Sequence, residues 1–176
     1  MNLGSPDSTE VKDVRRYLDE FLMDERVIDM AYWKRFLLVK GIILNTRPKK
    51  SAAAYKKIWW EEGSPLIVIS ERFTEKLRNI VKMPVYLGMR YGSMSIEKAV
   101  KELESQGVDE ILLVPLYPHY AMSSFETVVE KTKEVLGSGA NKIGLDVMAP
   151  FYNKEGYIKV MADVLKTNLE SIDSDQ

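Results

Sequence analysis

Cysteine is absent from all 176 residues. That excludes disulfides, thiolate metal sites, cysteine-ligated iron–sulfur clusters and a cysteine nucleophile. Histidine occurs once, at His119, so there is no second histidine to complete a metal site with it. An excess of one charge is also missing. The 25 Lys and Arg against 26 Asp and Glu leave a net charge of -1, which supplies no basic field for nucleic acid. The longest apolar run, residues 36–44, is interrupted by Lys40 and Gly41 and falls far short of the roughly 20 residues of a membrane span. No G-x-G-x-x-G, Walker A or G-x-S-x-G pattern occurs, which argues against dinucleotide and nucleoside-triphosphate enzymes and against an α/β-hydrolase. No secretory signal is visible at the start, and the chain fits a cytosolic protein.

What is present is an ordinary globular balance, 45% hydrophobic and 29% charged, long enough for one domain with a real core. Asp7, with Glu10 three residues on, reads as a capping box for a helix with Val14, Leu18, Phe21 and Leu22 inward. Residues 32–44 read as a second helix, apolar nearly all round, ended by Asn45-Thr46-Arg47-Pro48. Residues 51–60 give a third, with Lys49, Lys50, Lys56 and Lys57 on its basic side, and Gly63-Ser64-Pro65 turns into a fourth. The chain then becomes regular. Strands at 85–89, 111–116 and 143–148 alternate with helices at 96–106, 125–136 and 155–169, with Ser93 or Ser95 and Ser123-Ser124 as caps. Such alternation predicts βαβ units and a parallel sheet, with residues before Gly4 supplying a short first strand.

In open parallel sheets, ligands bind outside the carboxyl ends of the strands. The loops expected there hold Leu3 to Pro6, Arg90, Tyr91, Tyr117, His119, Tyr120, Ser123, Ser124, Phe151 and Tyr152. Aromatic walls with a few polar groups suit a flat organic ligand. Each candidate has a plainer alternative. A lone histidine is more often bonded to loop backbone. Arg90 after a strand serves equally as a structural arginine. Tyr117 and Tyr120 can simply pack a tight turn.

Several motifs, in order, resemble the ferrochelatase family over nearly the whole chain. They are Asn2-Leu3-Gly4-Ser5-Pro6, Val14-Arg15-Arg16-Tyr17-Leu18 with Phe21-Leu22-Met23-Asp24, and Arg47-Pro48-Lys49-Lys50-Ser51 with Tyr55. They continue with Gly63-Ser64-Pro65-Leu66, Gly88-Met89-Arg90-Tyr91-Gly92 and Leu116-Tyr117-Pro118-His119-Tyr120-Ala121-Met122-Ser123-Ser124. The resemblance implies an α/β, three-layer, Rossmann-like chelatase fold: a parallel sheet flanked by helices, one of two similar halves. It implies insertion of Fe²⁺ into protoporphyrin IX in haem synthesis, a lyase activity with no required cofactor. By resemblance, Leu3 lies beside the macrocycle and Arg90 with Tyr91 on the metal-entry side. Tyr55 and Tyr117 become pocket aromatics, Ser64 marks the pocket mouth, and Arg47 lies near the basic residues that meet propionates.

Residues 31–65 fall in the family's lip and pocket-mouth region, and residues 36–44 are a candidate for peripheral membrane contact. Residues 1–170 then form an amino-terminal domain with a tail at 171–176. The family's proton-accepting histidine and catalytic glutamate belong to a carboxy-terminal half that this sequence does not include, and His119 is not that histidine. No catalytic residue is therefore expected in the chain, with His119 as the fallback candidate. Expected partners are protoporphyrin IX, Fe²⁺ and the other half, with no nucleic acid. The alternative is a non-catalytic porphyrin-binding half that needs a separate second half. The absence of cysteine leaves no ligand for the iron–sulfur cluster of some family members, and Met122 stands where one such cysteine would fall.

Overall fold

The computed structural model describes residues 1–139 and 142–173, with side chains of the last helix described to residue 169. Two short parallel strand pairs form its centre. β1 (Asn2–Gly4) pairs with β2 (Met89–Tyr91), with Asn2 opposite Met89 and Gly4 opposite Tyr91. β3 (Glu110–Leu113) pairs with β4 (Gly144–Val147), from Glu110 opposite Gly144 to Leu113 opposite Val147. Residues 114–116 continue past β3 and join the two pairs. The Met1 nitrogen donates to the Val114 carbonyl at 2.8 Å and the Leu116 N–H to the Met1 carbonyl at 2.9 Å. The strands thus lie in the order β2, β1, β3, β4, and the order reverses between β1 and β3. That reversal is where a parallel α/β sheet opens a crevice at its carboxyl edge.

Two glycines let β1 and β2 end close together. Gly4 has φ +106°, and a Cβ there would lie 2.1 Å from the Tyr91 carbonyl oxygen. Gly92 has φ +94°, and a Cβ there would lie 2.9 Å from the Ser5 carbonyl oxygen. Both positions favour a residue without a side chain, for conformation and for space.

α1 (Val11–Leu22) packs Val14, Leu18 and Leu22 against Val39, Leu44 and Ala52. The sequence places its cap at Asp7, but the helix starts four residues later. Asp7 instead accepts from Arg16 Nη2 at 2.5 Å and from the Ser93 N–H at 3.3 Å, which ties the start of the chain to the end of β2. A second core joins α5 (Ile96–Ser105) and α6 (Thr127–Ser138) to β3 through Ile96, Val100, Leu113, Val128 and Val129. Of the two cap candidates for α5, Ser95 is the cap, accepting from the Lys98 N–H. Ser123 and Ser124 are not caps; they lie inside a π-helical turn, Met122–Glu126, that leads into α6. The strand expected at 85–89 also shifts: residues 85–88 form no strand, and the ladder begins at Met89, where β1 provides a partner.

The largest departure is at residues 32–58. Asn45-Thr46-Arg47-Pro48 does not end a helix. α2 (Tyr32–Phe36) passes through a π-helical segment, Leu37–Ile43, into α3 (Leu44–Ile58), with Pro48 inside α3. Proline supplies no N–H, so the Leu44 carbonyl four residues back loses its helical donor. Arg15 Nη1 donates to that carbonyl instead. Asn45 Nδ2 donates to the Gly41 carbonyl at 2.8 Å, and Thr46 Oγ1 to the Ile42 carbonyl at 3.0 Å. The residues that read as a stop signal therefore cover the carbonyls of the π-helical segment. Val39 and Leu44 face inward, while Tyr32, Trp33, Phe36, Leu37 and Ile42 are exposed.

α4 (Pro65–Arg78) follows the expected turn, with Pro65 at its first position. α7 (Glu155–Asp173) runs three residues beyond residue 170, into the stretch read as a tail; residues 174–176 lie outside the described ones.

Arg15→Met is expected to lower the unfolding free energy by about 1–2 kcal/mol, because it removes from a part-buried carbonyl the donor that stands in for the missing Pro48 N–H. Pro48→Ala restores an N–H for the same carbonyl, so most of that cost should vanish in the double variant. Urea unfolding of the four proteins measures this, and strictly additive effects would contradict it.

Candidate functional site

The loop after α1 carries Asp24 to the carboxyl end of β2. Its side chain is 3% exposed and takes donors from three separate elements. Asp24 Oδ2 accepts from Arg90 Nη2 at 2.6 Å, from the Tyr91 hydroxyl at 2.8 Å and from Thr127 Oγ1 at 2.5 Å. Its Oδ1 accepts from the Arg26 N–H at 2.8 Å. Thr127 Oγ1 also accepts from Arg90 Nε at 2.7 Å, which closes a ring of three side chains, Asp24, Arg90 and Thr127, with Tyr91 joined to it at Asp24. The Asp24 carboxyl is held below its ordinary value. Burial alone would raise it, but hydrogen bonds from Thr127, the Arg26 N–H and Tyr91, with the charge of Arg90, outweigh burial. The Arg90 guanidinium also stacks 4.5 Å from the centre of the Tyr91 ring.

An aromatic layer lies against this ring. Tyr91 meets Tyr17 edge-on at 6.4 Å and Phe21 at 5.4 Å. Tyr17 meets Tyr55 edge-on at 6.5 Å, and Tyr55 meets Trp59 at 6.2 Å. The Tyr17 hydroxyl donates to the Gly4 carbonyl at 3.2 Å, which fixes the layer to the end of β1. Tyr117 comes from the other side of the strand-order reversal, within electrostatic reach of Tyr91, Tyr17 and Arg90. Burial raises the pKa of Tyr17, Tyr91 and Tyr117, so these phenols stay protonated at neutral pH. The Tyr117 hydroxyl is buried and has no hydrogen-bond partner among the described residues, nor does the buried hydroxyl of Ser5.

The predicted residues divide into groups. Arg90, Tyr91, Tyr117 and Tyr55 come together around Tyr17. Arg47 lies exposed on α3, where its charge reaches Tyr55. Leu3 sits half-buried in β1. Ser64 is buried and lines a cavity of about 230 Å³ with Ser5, Trp59 and Tyr91. His119 is outside this group: exposed, it stacks on Tyr152 at 5.4 Å. Sequence reasoning did not assign roles to Asp24, Thr127 or Tyr17. Asp24 had one legible signal, an acidic residue directly after an amphipathic helix that has already ended. Thr127 had none, because it reads as an ordinary helix position. Among the described residues, no group of three or more His, Cys, Asp or Glu could hold a metal ion.

A parallel α/β domain whose carboxyl edge gathers tyrosines and a held arginine has the make-up of a ligand crevice. The ferrochelatase family model matches residues 1–176, and the chain belongs to that family. It is 50% identical over 163 residues to the ferrochelatase of Azotobacter vinelandii, covering 92% of this chain and 48% of that protein. It is 49% identical over 164 residues to the ferrochelatase of Opitutus terrae, again covering 92% of this chain and 48% of that protein. To the ferrochelatase of Pseudomonas aeruginosa it is 44% identical over 173 residues, or 97% of this chain and 50% of that protein. The chain spans about half the length of these curated relatives.

Asp24→Ala leaves the largely buried Arg90 without its counter-ion, a change that typically costs about 3–5 kcal/mol. A carboxylate whose pKa is depressed on folding contributes stability above its unfolded pKa, and loses it as pH falls through the folded value. The stability gap between wild type and Asp24→Ala should be full at pH 7 and shrink below about pH 4. Urea unfolding at stepped pH measures it, and a gap constant down to pH 2 would exclude the carboxylate as its source.

Proposed function

We propose that this chain provides one wall of a protoporphyrin IX site in a ferrochelatase reaction, with Fe²⁺ and the porphyrin as substrates and haem as product. The observation that carries the reading is the convergence of Tyr17, Tyr55, Tyr91 and Tyr117 with Arg90 at the carboxyl edge of the sheet. Aromatic faces suit a macrocycle, and family membership supports its identity. Leu3, Ser64 and Arg47 extend the wall, with Arg47 placed for a propionate.

Metallation asks three things of a protein. It must favour a bent macrocycle over the flat one, strip water from the metal ion, and accept two protons from the pyrrole nitrogens. This chain offers the wall and the arginine–tyrosine pair. Its raised-pKa phenols do not accept protons at neutral pH, and His119 stands outside the aromatic group. A base from a second, carboxy-terminal half completes the reaction in this proposal, which needs no nucleotide or other cofactor. The proposed setting is cytoplasmic. Among the described residues no helix is long and apolar enough to cross a membrane, and exposed Trp33, Phe36, Leu37 and Ile42 support peripheral contact with one.

The second reading, a porphyrin-binding half that acts only with a separate partner, is favoured by α7. Ile158, Met161, Leu165 and Leu169 form an exposed apolar stripe along it.

Titrating the purified chain with protoporphyrin IX should shift the porphyrin absorbance band, and Tyr117→Ala should weaken binding about tenfold through loss of one aromatic wall. Zinc-porphyrin formation by the chain alone should stay at the uncatalysed rate and rise when a second half is added. Absence of any absorbance shift would leave only a generic α/β ligand domain. Robust turnover by the chain alone would restore His119 as the base.

A further inference from the structure

The side-chain ring around Asp24 determines more than stability, because a carboxylate can only accept hydrogen bonds. A phenol has one proton. The Tyr91 hydroxyl lies 2.8 Å from Asp24 Oδ2, and that proton is committed to the carboxylate. The lone pairs of the Tyr91 oxygen are left pointing elsewhere. The same logic fixes Arg90. Its Nε is held by Thr127 Oγ1 and its Nη2 by Asp24, so the plane and rotation of the guanidinium are set. Among the described residues its Nη1 forms no hydrogen bond. Tyr117, within electrostatic reach of both, contributes a buried hydroxyl with no hydrogen-bond partner among the described residues. An unsatisfied buried hydroxyl beside a donor held in place is a site that a bound group can complete.

We infer that Asp24 and Thr127 are positioning residues that make Tyr91 an acceptor and Arg90 a fixed donor toward the ligand edge. This rests on the proposed metallation, in which an acceptor oxygen suits the hydrated substrate dication and a freely rotating phenol proton does not. Thr127 is the residue that links the two effects. It accepts from Arg90 and donates to Asp24 through a single oxygen, and it is 1% exposed at the start of α6. A valine there keeps the shape and removes both bonds. A serine keeps the oxygen and loses only a methyl group.

Two measurements test the inference on the 176-residue chain and on the chain combined with its second half. In the ¹⁵N-labelled chain, the Arg90 Nε–H signal should exchange slowly in wild type, be lost in Thr127→Val and return in Thr127→Ser. The backbone amide spectrum reports that each variant remains folded. In the combined protein, assayed with Zn²⁺ and protoporphyrin IX, Thr127→Val should raise the KM for Zn²⁺ about tenfold and leave the porphyrin KM within about twofold. Thr127→Ser and Asp24→Asn should bracket it, the first near wild type and the second at least as impaired as Thr127→Val. Equal changes in both KM values would mean general loosening and would overturn the inference, as would an Arg90 signal indifferent to Thr127→Val. If the wild-type combination makes no zinc porphyrin while the Arg90 signal behaves as expected, the positioning stands and the metallation reading falls.

Discussion

The carboxylate of Asp24 is the point on which the carboxyl edge depends. It receives the end of α1, the end of β2 and the start of α6, elements separated by up to 103 residues in sequence. A charge so buried persists only if its hydrogen-bonding capacity is met. Here both oxygens are occupied by an arginine, a phenol, a threonine and a backbone N–H. The requirement works in both directions: the carboxylate needs its donors, and each donor is held in place by it. Tyr91 and Arg90, the last residues of β2, are consequently held in place.

That rigidity passes into the aromatic layer by contact. Tyr91 fixes Tyr17 and Phe21, Tyr17 reaches the Gly4 carbonyl and Tyr55, and Tyr55 reaches Trp59. Gly4 and Gly92 leave no Cβ where β1 and β2 converge, so the two strand ends that carry this layer can approach. The order reversal between β1 and β3 then brings Tyr117 in from the opposite side. Strand order, two glycines and one carboxylate thus suffice to gather side chains from five segments.

The βαβ alternation was legible because its signals are local: apolar runs of strand length, caps and glycine stops. The short strand at residues 2–4 followed from it, as did the gathering of Arg90, Tyr91 and Tyr117 at one edge. The end of the second helix was misread for a physical reason. Pro48 breaks a helix only if the carbonyl it abandons finds no other donor, and Arg15, distant in sequence, supplies one. Asp7 was misread in the same way, since Ser93 and Arg16 compete for its carboxylate. Ser123 and Ser124 have the composition of caps, but the π-helical turn places them within the element. Thr127 could not have been found from pattern at all, because its role exists only where three distant segments meet. What one segment determines can be read from the sequence, and what a contact between segments determines cannot.

The pairing of Arg90 with Asp24 also bears on charge in the proposed reaction. A bare guanidinium about 6 Å from a dication would repel it by roughly 5 kcal/mol at an effective dielectric of about 20. In that proposal, this is enough to exclude the metal from the Arg90 face. Asp24, 2.6 Å from Nη2, cancels most of that field at the distance of an approaching ion while leaving the remaining N–H groups free to donate. An arginine chosen only to attract propionates would need no such partner, and Arg47, exposed on α3, has no ion-pair partner among the described residues. In the proposed reaction the two arginines take different roles: Arg47 as an open cation for carboxylates, Arg90 as a neutralised donor beside the metal. The burial of Asp24 has a stability cost that a purely structural arginine could avoid with an apolar replacement. Retaining a charged pair here makes sense where a donor is needed without its net charge.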